Sequence, residues 1–130
     1  KKQIINFIKK NKCKVLSLNI NEKLEKEFIT KYIACNETRM LIDFKKYSKI
    51  INKLILPADR IKKILEKKIP KKIKNYGMII KKNSFQVFKS YCELPNSLVF
   101  GYALSICITG QAKNLYLAGF DGHKKNTILI

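Results

Sequence analysis

PNSLVFGYALSICITGQAKNLYLAGFDGH, residues Pro95–His123, parses as turn, apolar helix, short loop, apolar strand and polar loop. Pro95-Asn96 breaks what precedes, and Ser97 stands where its hydroxyl would accept a backbone N–H left free in the first helical turn. From Leu98 to Thr109 nearly every residue is apolar or small, which predicts a helix covered on all sides. Gly101 and Ser105, four apart, would let another backbone come close, and Gly110 stops the helix. Leu115-Tyr116-Leu117-Ala118-Gly119-Phe120 is short and continuously apolar, as an internal parallel strand is. Asp121-Gly122-His123 then lies just past that strand's carboxyl end, the edge at which open α/β sheets bind ligands.

Working back towards the N-terminus, the same alternation recurs. Lys2–Lys10 places Ile4, Ile5, Phe7 and Ile8 on one side of an amphipathic helix. Lys14–Asn19 reads as a strand, Glu22–Phe28 as a short acidic-started helix, and Ile29–Cys35 as a second strand ending at Asn36. Thr38–Ile42 and Lys45–Ile50 are short helical pieces, and Leu54-Ile55-Leu56 is a third strand closed by Pro57. A helix is expected from Ala58-Asp59 to about Lys68, then a basic linker over Lys71–Asn75. Tyr76–Ile80 and Phe85–Phe88 read as two strands forming a hairpin or edge pair. The fold class expected is α/β, a three-layer Rossmann-like domain with a mostly parallel sheet of about five strands. The pattern opens mid-element at Lys1 without a Met, so the 130 residues are expected to be one domain cut from a longer chain.

The chain carries 28 basic and 9 acidic residues, a net charge of +19. Only Arg39 and Arg60 are arginine, and the lysines are spread over nearly every amphipathic segment. Arginine is the usual source of bidentate base and phosphate contacts, so solvated faces are favoured over a nucleic-acid site. No apolar run approaches the ~18 residues of a membrane span, and no signal peptide is visible. Cys13, Cys35, Cys92 and Cys107 form no CxxC pair and have no histidine at ligand spacing, which argues against zinc. Reduced thiols in a cytoplasmic protein fit this pattern.

If the strands are parallel neighbours, Asn19, Asn36, Asn96-Ser97, Asp121 and His123 converge on one rim. An asparagine amide carries both donor and acceptor and can hold a base edge, a ribose hydroxyl or a phosphate; it also ends strands because it tolerates turn conformations. Asp121 suits a ribose or sugar hydroxyl, or it bonds backbone N–H groups of its own turn. His123, the one histidine, is the side chain here suited to proton transfer near neutral pH. Ser97 lacks a nucleophile elbow, and no Gly-rich phosphate loop appears.

ALSICITGQAKNLYLAGFDGH (103–123) resembles a motif of two related groups. One is the bacterial sialyltransferases, whose Rossmann-like domain has a helix, a glycine and a strand of the form IYLxGxD. The other is the domain that follows a metal-dependent aldolase barrel of the hydroxymethylglutaryl-lyase and 4-hydroxy-2-oxovalerate aldolase type. VLSLN (15–19), YIACNETRML (32–41) and ELPNSLVFGYAL (93–104) resemble further segments of that second group, over roughly Lys14 to Gly122. The resemblance implies a cytidine- or uridine-type nucleotide held by Asn19, Asn36, Asn96 and Ser97, with Asp121 on the donor or acceptor sugar. His123 falls where the transferases carry an aromatic hydroxyl; their general-base histidine has no counterpart here, and their Thr-Ser-Gly contact is not kept. A Gly-rich loop would lie before Lys1. The expected function is therefore nucleotide or nucleotide-sugar binding, in a glycosyltransferase relative serving surface-sugar synthesis, with divalent metal only in an aldolase barrel of the same parent chain. The alternative is a non-catalytic accessory or dimerisation domain of such an aldolase, forming a homo-oligomer.

Overall fold

Three short segments, Leu16–Leu18 (β1), Lys31–Ile33 (β2) and Leu54–Leu56 (β3), pair in parallel in sequence order, with Lys74–Asn75 (β4) beside β3. All three residues of β3 are buried, as expected of an internal parallel strand with both faces covered. The structure, a computed structural model, describes residues 2–20, 22–61, 66 and 73–119. A second sheet has the order Gly77–Ile80 (β5), Tyr91–Leu94 (β7), Gln86–Val87 (β6), with β5 parallel and β6 antiparallel to β7.

Tyr76 joins the two sheets. Its N–H donates to the Leu56 carbonyl at 3.2 Å, and the next N–H, of Gly77, donates to the Ser90 carbonyl at 2.9 Å. Successive N–H groups of an extended chain point to opposite sides, so residues 74–80 pair with β3 on one side and β7 on the other. The strands therefore run β1-β2-β3-β4/β5-β7-β6 across the molecule.

Alternation along the strands divides the core into two layers. Ile33, Cys35, Ile55, Met78, Cys92 and Leu94 face the helix Val99–Thr109 (α4), which contributes Tyr102 and Ala103. Tyr32, Ala34, Leu54 and Leu56 face the opposite way, against Met40 of Glu37–Ile42 (α2) and Tyr47 of Phe44–Ser48 (α3). Helices on both faces of a largely parallel sheet make this an α/β fold with a Rossmann-like, three-layer layout. The remaining helix, Lys2–Asn11 (α1), buries none of its residues. Among the described residues no helix is long and apolar enough to cross a membrane.

Several local expectations are corrected. The parallel sheet has four strands where about five were expected. The expected strand at Leu115–Phe120 is not one over residues 115–119; Leu115 and Tyr116 are exposed, and Phe120 lies outside the described residues. The place beside β5 belongs to Tyr91–Leu94, whose alternation puts Cys92 and Leu94 in the core. The 76–80 and 85–88 segments are consequently not paired with each other: both flank β7. Glu22–Phe28 yields one 3-10 turn at Lys26–Phe28, and the helix expected from Ala58 begins as a 3-10 turn, Ala58–Arg60. Residues 62–65 and 67–72 of that expected helix and linker lie outside the described residues, whereas Lys74–Asn75 is strand. α4 is apolar on every side but buries only Tyr102, Ala103 and Ser105. Its N-cap is Leu98, not Ser97.

Candidate functional site

Parallel strands deliver their following residues to one edge, and here β2, β3 and β7 bring three short segments together there. Cys35-Asn36-Glu37-Thr38 follows β2, Arg60 closes the 3-10 turn after β3, and Ser97 follows β7. These six residues line an open cleft of about 200 Å³.

Asn36 has an extended backbone (φ −103°, ψ 110°) and caps α2, its Oδ1 accepting the Arg39 N–H at 3.0 Å. The cap uses the acceptor, so Asn36 presents its Nδ2 donors to a ligand. The Cys35 thiol donates to the Ser97 carbonyl at 3.2 Å, tying the end of β2 to the loop after β7. Burial pushes that thiol up to about 12, with a smaller upward contribution from Cys92 and a downward one from Arg60. Cys35 is thus a protonated structural donor near neutral pH. All four cysteines are free thiols.

The cleft also contains opposed charges. Arg60 is exposed and forms no ion pair among the described residues. Glu37 has one carboxylate oxygen, Oε1, buried with no hydrogen-bond partner. An unsatisfied buried acceptor costs about 1–3 kcal/mol, which a ligand hydroxyl would relieve. A guanidinium offers a planar donor fork to phosphate or carboxylate. The first turn of α4 has no side-chain cap on its N–H groups, and Leu98 N–H is taken by Asn96 Oδ1 at 3.2 Å.

The structure places the sequence-derived residues as follows. Asn36 and Ser97 meet in the cleft; Asn96 is next to Ser97, with its carbonyl oxygen used in the turn. Asn19 stands at the same sheet edge, its N–H donating to the Ile33 carbonyl at 2.8 Å, but it does not line the cleft. It adopts the left-handed conformation (φ 59°) that asparagine tolerates better than most residues, and its Oδ1 receives the Tyr47 hydroxyl at a long 3.5 Å. Asp121 and His123 lie outside the described residues. Among the described residues no group of three His, Cys, Asp or Glu side chains is arranged to hold a metal ion. Glu37, Thr38 and Arg60 were not singled out from sequence. One signal was present for Arg60: it is one of two arginines in a lysine-rich chain and closely follows an apolar strand.

Comparison with protein-family models, with curated proteins and with solved structures gives no match for this chain.

Proposed function

We infer that this domain binds a nucleotide or nucleotide-sugar at the carboxyl edge of its sheet. The observation that carries the reading is a cleft with one unpaired cation, Arg60, and one unsatisfied buried acceptor, Glu37 Oε1. A nucleotide-sugar supplies both complements, an anionic phosphate and hydroxyl donors. In this reading Arg60 and the first-turn N–H groups of α4 take phosphate. Glu37 accepts from ribose or sugar hydroxyls, while Asn36 Nδ2 and the Ser97 hydroxyl orient the base or sugar. Asp121 and His123 complete the rim, with His123 assisting proton transfer in a glycosyl-transfer reaction. The sequence resemblance to sialyltransferases and to the domain after an aldolase barrel supports the same class of ligand.

The test is calorimetric titration of the chain with cytidine and uridine mono- and diphosphates. Arg60→Ala should weaken binding about 10- to 100-fold, the size of a lost charge-assisted bond. Asn36→Ser should also weaken it while leaving α2 capped, because serine is an equally good N-cap. Asn19→Ala should leave affinity unchanged, since Asn19 does not line the cleft. Absence of saturable binding together with stable self-association would instead support the accessory role.

A further inference from the structure

Helix α1 is the one α-helix in the described fold with no buried residue, although its sequence is strongly amphipathic. At about 100° per residue, Phe7, Ile4, Ile8 and Ile5 span an apolar arc of roughly 160°. The fold uses only part of it. Ile5 and Ile8 are half-buried, while Ile4 is 41% and Phe7 39% exposed. The Phe7 ring meets Tyr116 edge-on at 4.8 Å, and Tyr116 is itself 61% exposed, so the aromatic pair extends the apolar patch beyond the helix. Lys2, Lys9 and Lys10 occupy the remaining arc with Gln3 and Asn6. From Lys1 through position 21 there are six lysines and no acidic residue.

We propose that α1 is an interfacial anchor that lies on an anionic lipid surface, with Ile4, Phe7 and Tyr116 entering the headgroup–acyl boundary and its lysines facing lipid phosphates. A helix with a lysine-rich polar face, low overall hydrophobicity and an exposed aromatic-aliphatic face is suited to that position. Charge complementarity selects the occupant: a face free of carboxylates on a +19 chain is matched by an anionic surface and repelled by a second copy of itself. A polyanion such as RNA would satisfy the lysines and leave Ile4 and Phe7 in water. This reading is independent of the cleft.

The chain contains no tryptophan, so Phe7→Trp gives a single reporter. Its emission should shift to the blue on adding phosphatidylcholine vesicles containing one-third phosphatidylserine, and should not with phosphatidylcholine alone. In co-sedimentation with the mixed vesicles, Lys9→Gln/Lys10→Gln should weaken binding about fivefold per lysine. Ile4→Ser/Phe7→Ser should weaken it at least about tenfold. Circular dichroism melts of both double variants should match the parent, because none of the four residues is buried. Binding lost in the lysine pair but kept in the Ile4/Phe7 pair would overturn the proposal, leaving unspecific polycation adhesion. So would an oligonucleotide held more tightly than the vesicles, or a dimer that disappears in Ile4→Ser/Phe7→Ser.

Discussion

Replacing Gly77 by alanine tests the strand arrangement more sharply than any core truncation. On general grounds the change should help: glycine inside a strand is worse than alanine by roughly 0.5–1 kcal/mol because it loses more backbone freedom on folding. Gly77 has no left-handed φ to protect, so backbone conformation gives no reason against it. Its neighbour does. In the parallel register Gly77 stands opposite Tyr91, and a Cβ at position 77 would lie 2.9 Å from the Tyr91 Cβ and 3.4 Å from the Ser90 carbonyl oxygen. Carbon atoms pack best at about 3.5–4.0 Å, and a Cβ cannot swing away as the end of a long side chain can. β5 and β7 must therefore part, straining the Gly77 N–H to Ser90 carbonyl bond, now 2.9 Å. Overpacking of this kind costs about 1–3 kcal/mol, which outweighs the entropy gain and leaves a net loss of about 1–2 kcal/mol. Urea unfolding followed by circular dichroism should show the lower midpoint at an unchanged slope, and the thermal midpoint should fall by roughly 3–8 °C. Adding Tyr91→Gly removes the opposing Cβ. The double variant should then be more stable than the sum of the single changes, by most of the clash energy. A Gly77→Ala protein as stable as the parent would refute the parallel β5–β7 register.

Other outcomes follow from the same packing. Gly101→Ala should stabilise by about 0.5–1 kcal/mol, since its Cβ would meet only Leu94 at 3.6 Å and alanine is the better helix former; the same urea assay checks it. Tyr102→Phe should cost about 1–3 kcal/mol, because the buried hydroxyl donates to the Tyr76 carbonyl at 2.6 Å and its loss strands an acceptor. Alkaline pH should destabilise the fold. The Cys35 thiol is pushed up to about 12 by burial, so between its ordinary value of 9.0 and 12 the unfolded chain has released that proton while the folded chain keeps it. Stability should then fall by about 1.4 kcal/mol per pH unit over that window, and Cys35→Ala should flatten the slope measured by urea titration. Thiol-exchange kinetics at pH 8 should find Cys35 unreactive until the protein unfolds.

The local features legible in the sequence were those written in neighbouring residues. The amphipathic spacing of Ile4, Ile5, Phe7 and Ile8, the apolar triplet Leu54-Ile55-Leu56, the capping asparagine at 36 and the glycine stop at 110 each depend on contacts within a few positions. Strand choice does not. Leu115–Phe120 is more apolar than Tyr91–Leu94, yet the latter occupies the place beside β5. A period-two pattern puts Cys92 and Leu94 under α4 and sends Tyr91 to stack on Phe88, at 4.5 Å on the other face. Hydrophobicity says that a segment favours burial, and only pairing across the sheet decides which one fits. The candidate site divides in the same way. Asn36 and Ser97 are marked by following strands, but Arg60 and Glu37 join them only because β2, β3 and β7 point the same way.

By itself the sequence determined the α/β class, through the alternation of helical and strand periods. It likewise determined the local caps and turns and the unbalanced charge of the N-terminal helix. The tertiary structure decided the strand order, the seam at Tyr76 and the cleft, because hydrogen bonds between distant segments and steric fit at a single Cβ have no expression in local spacing.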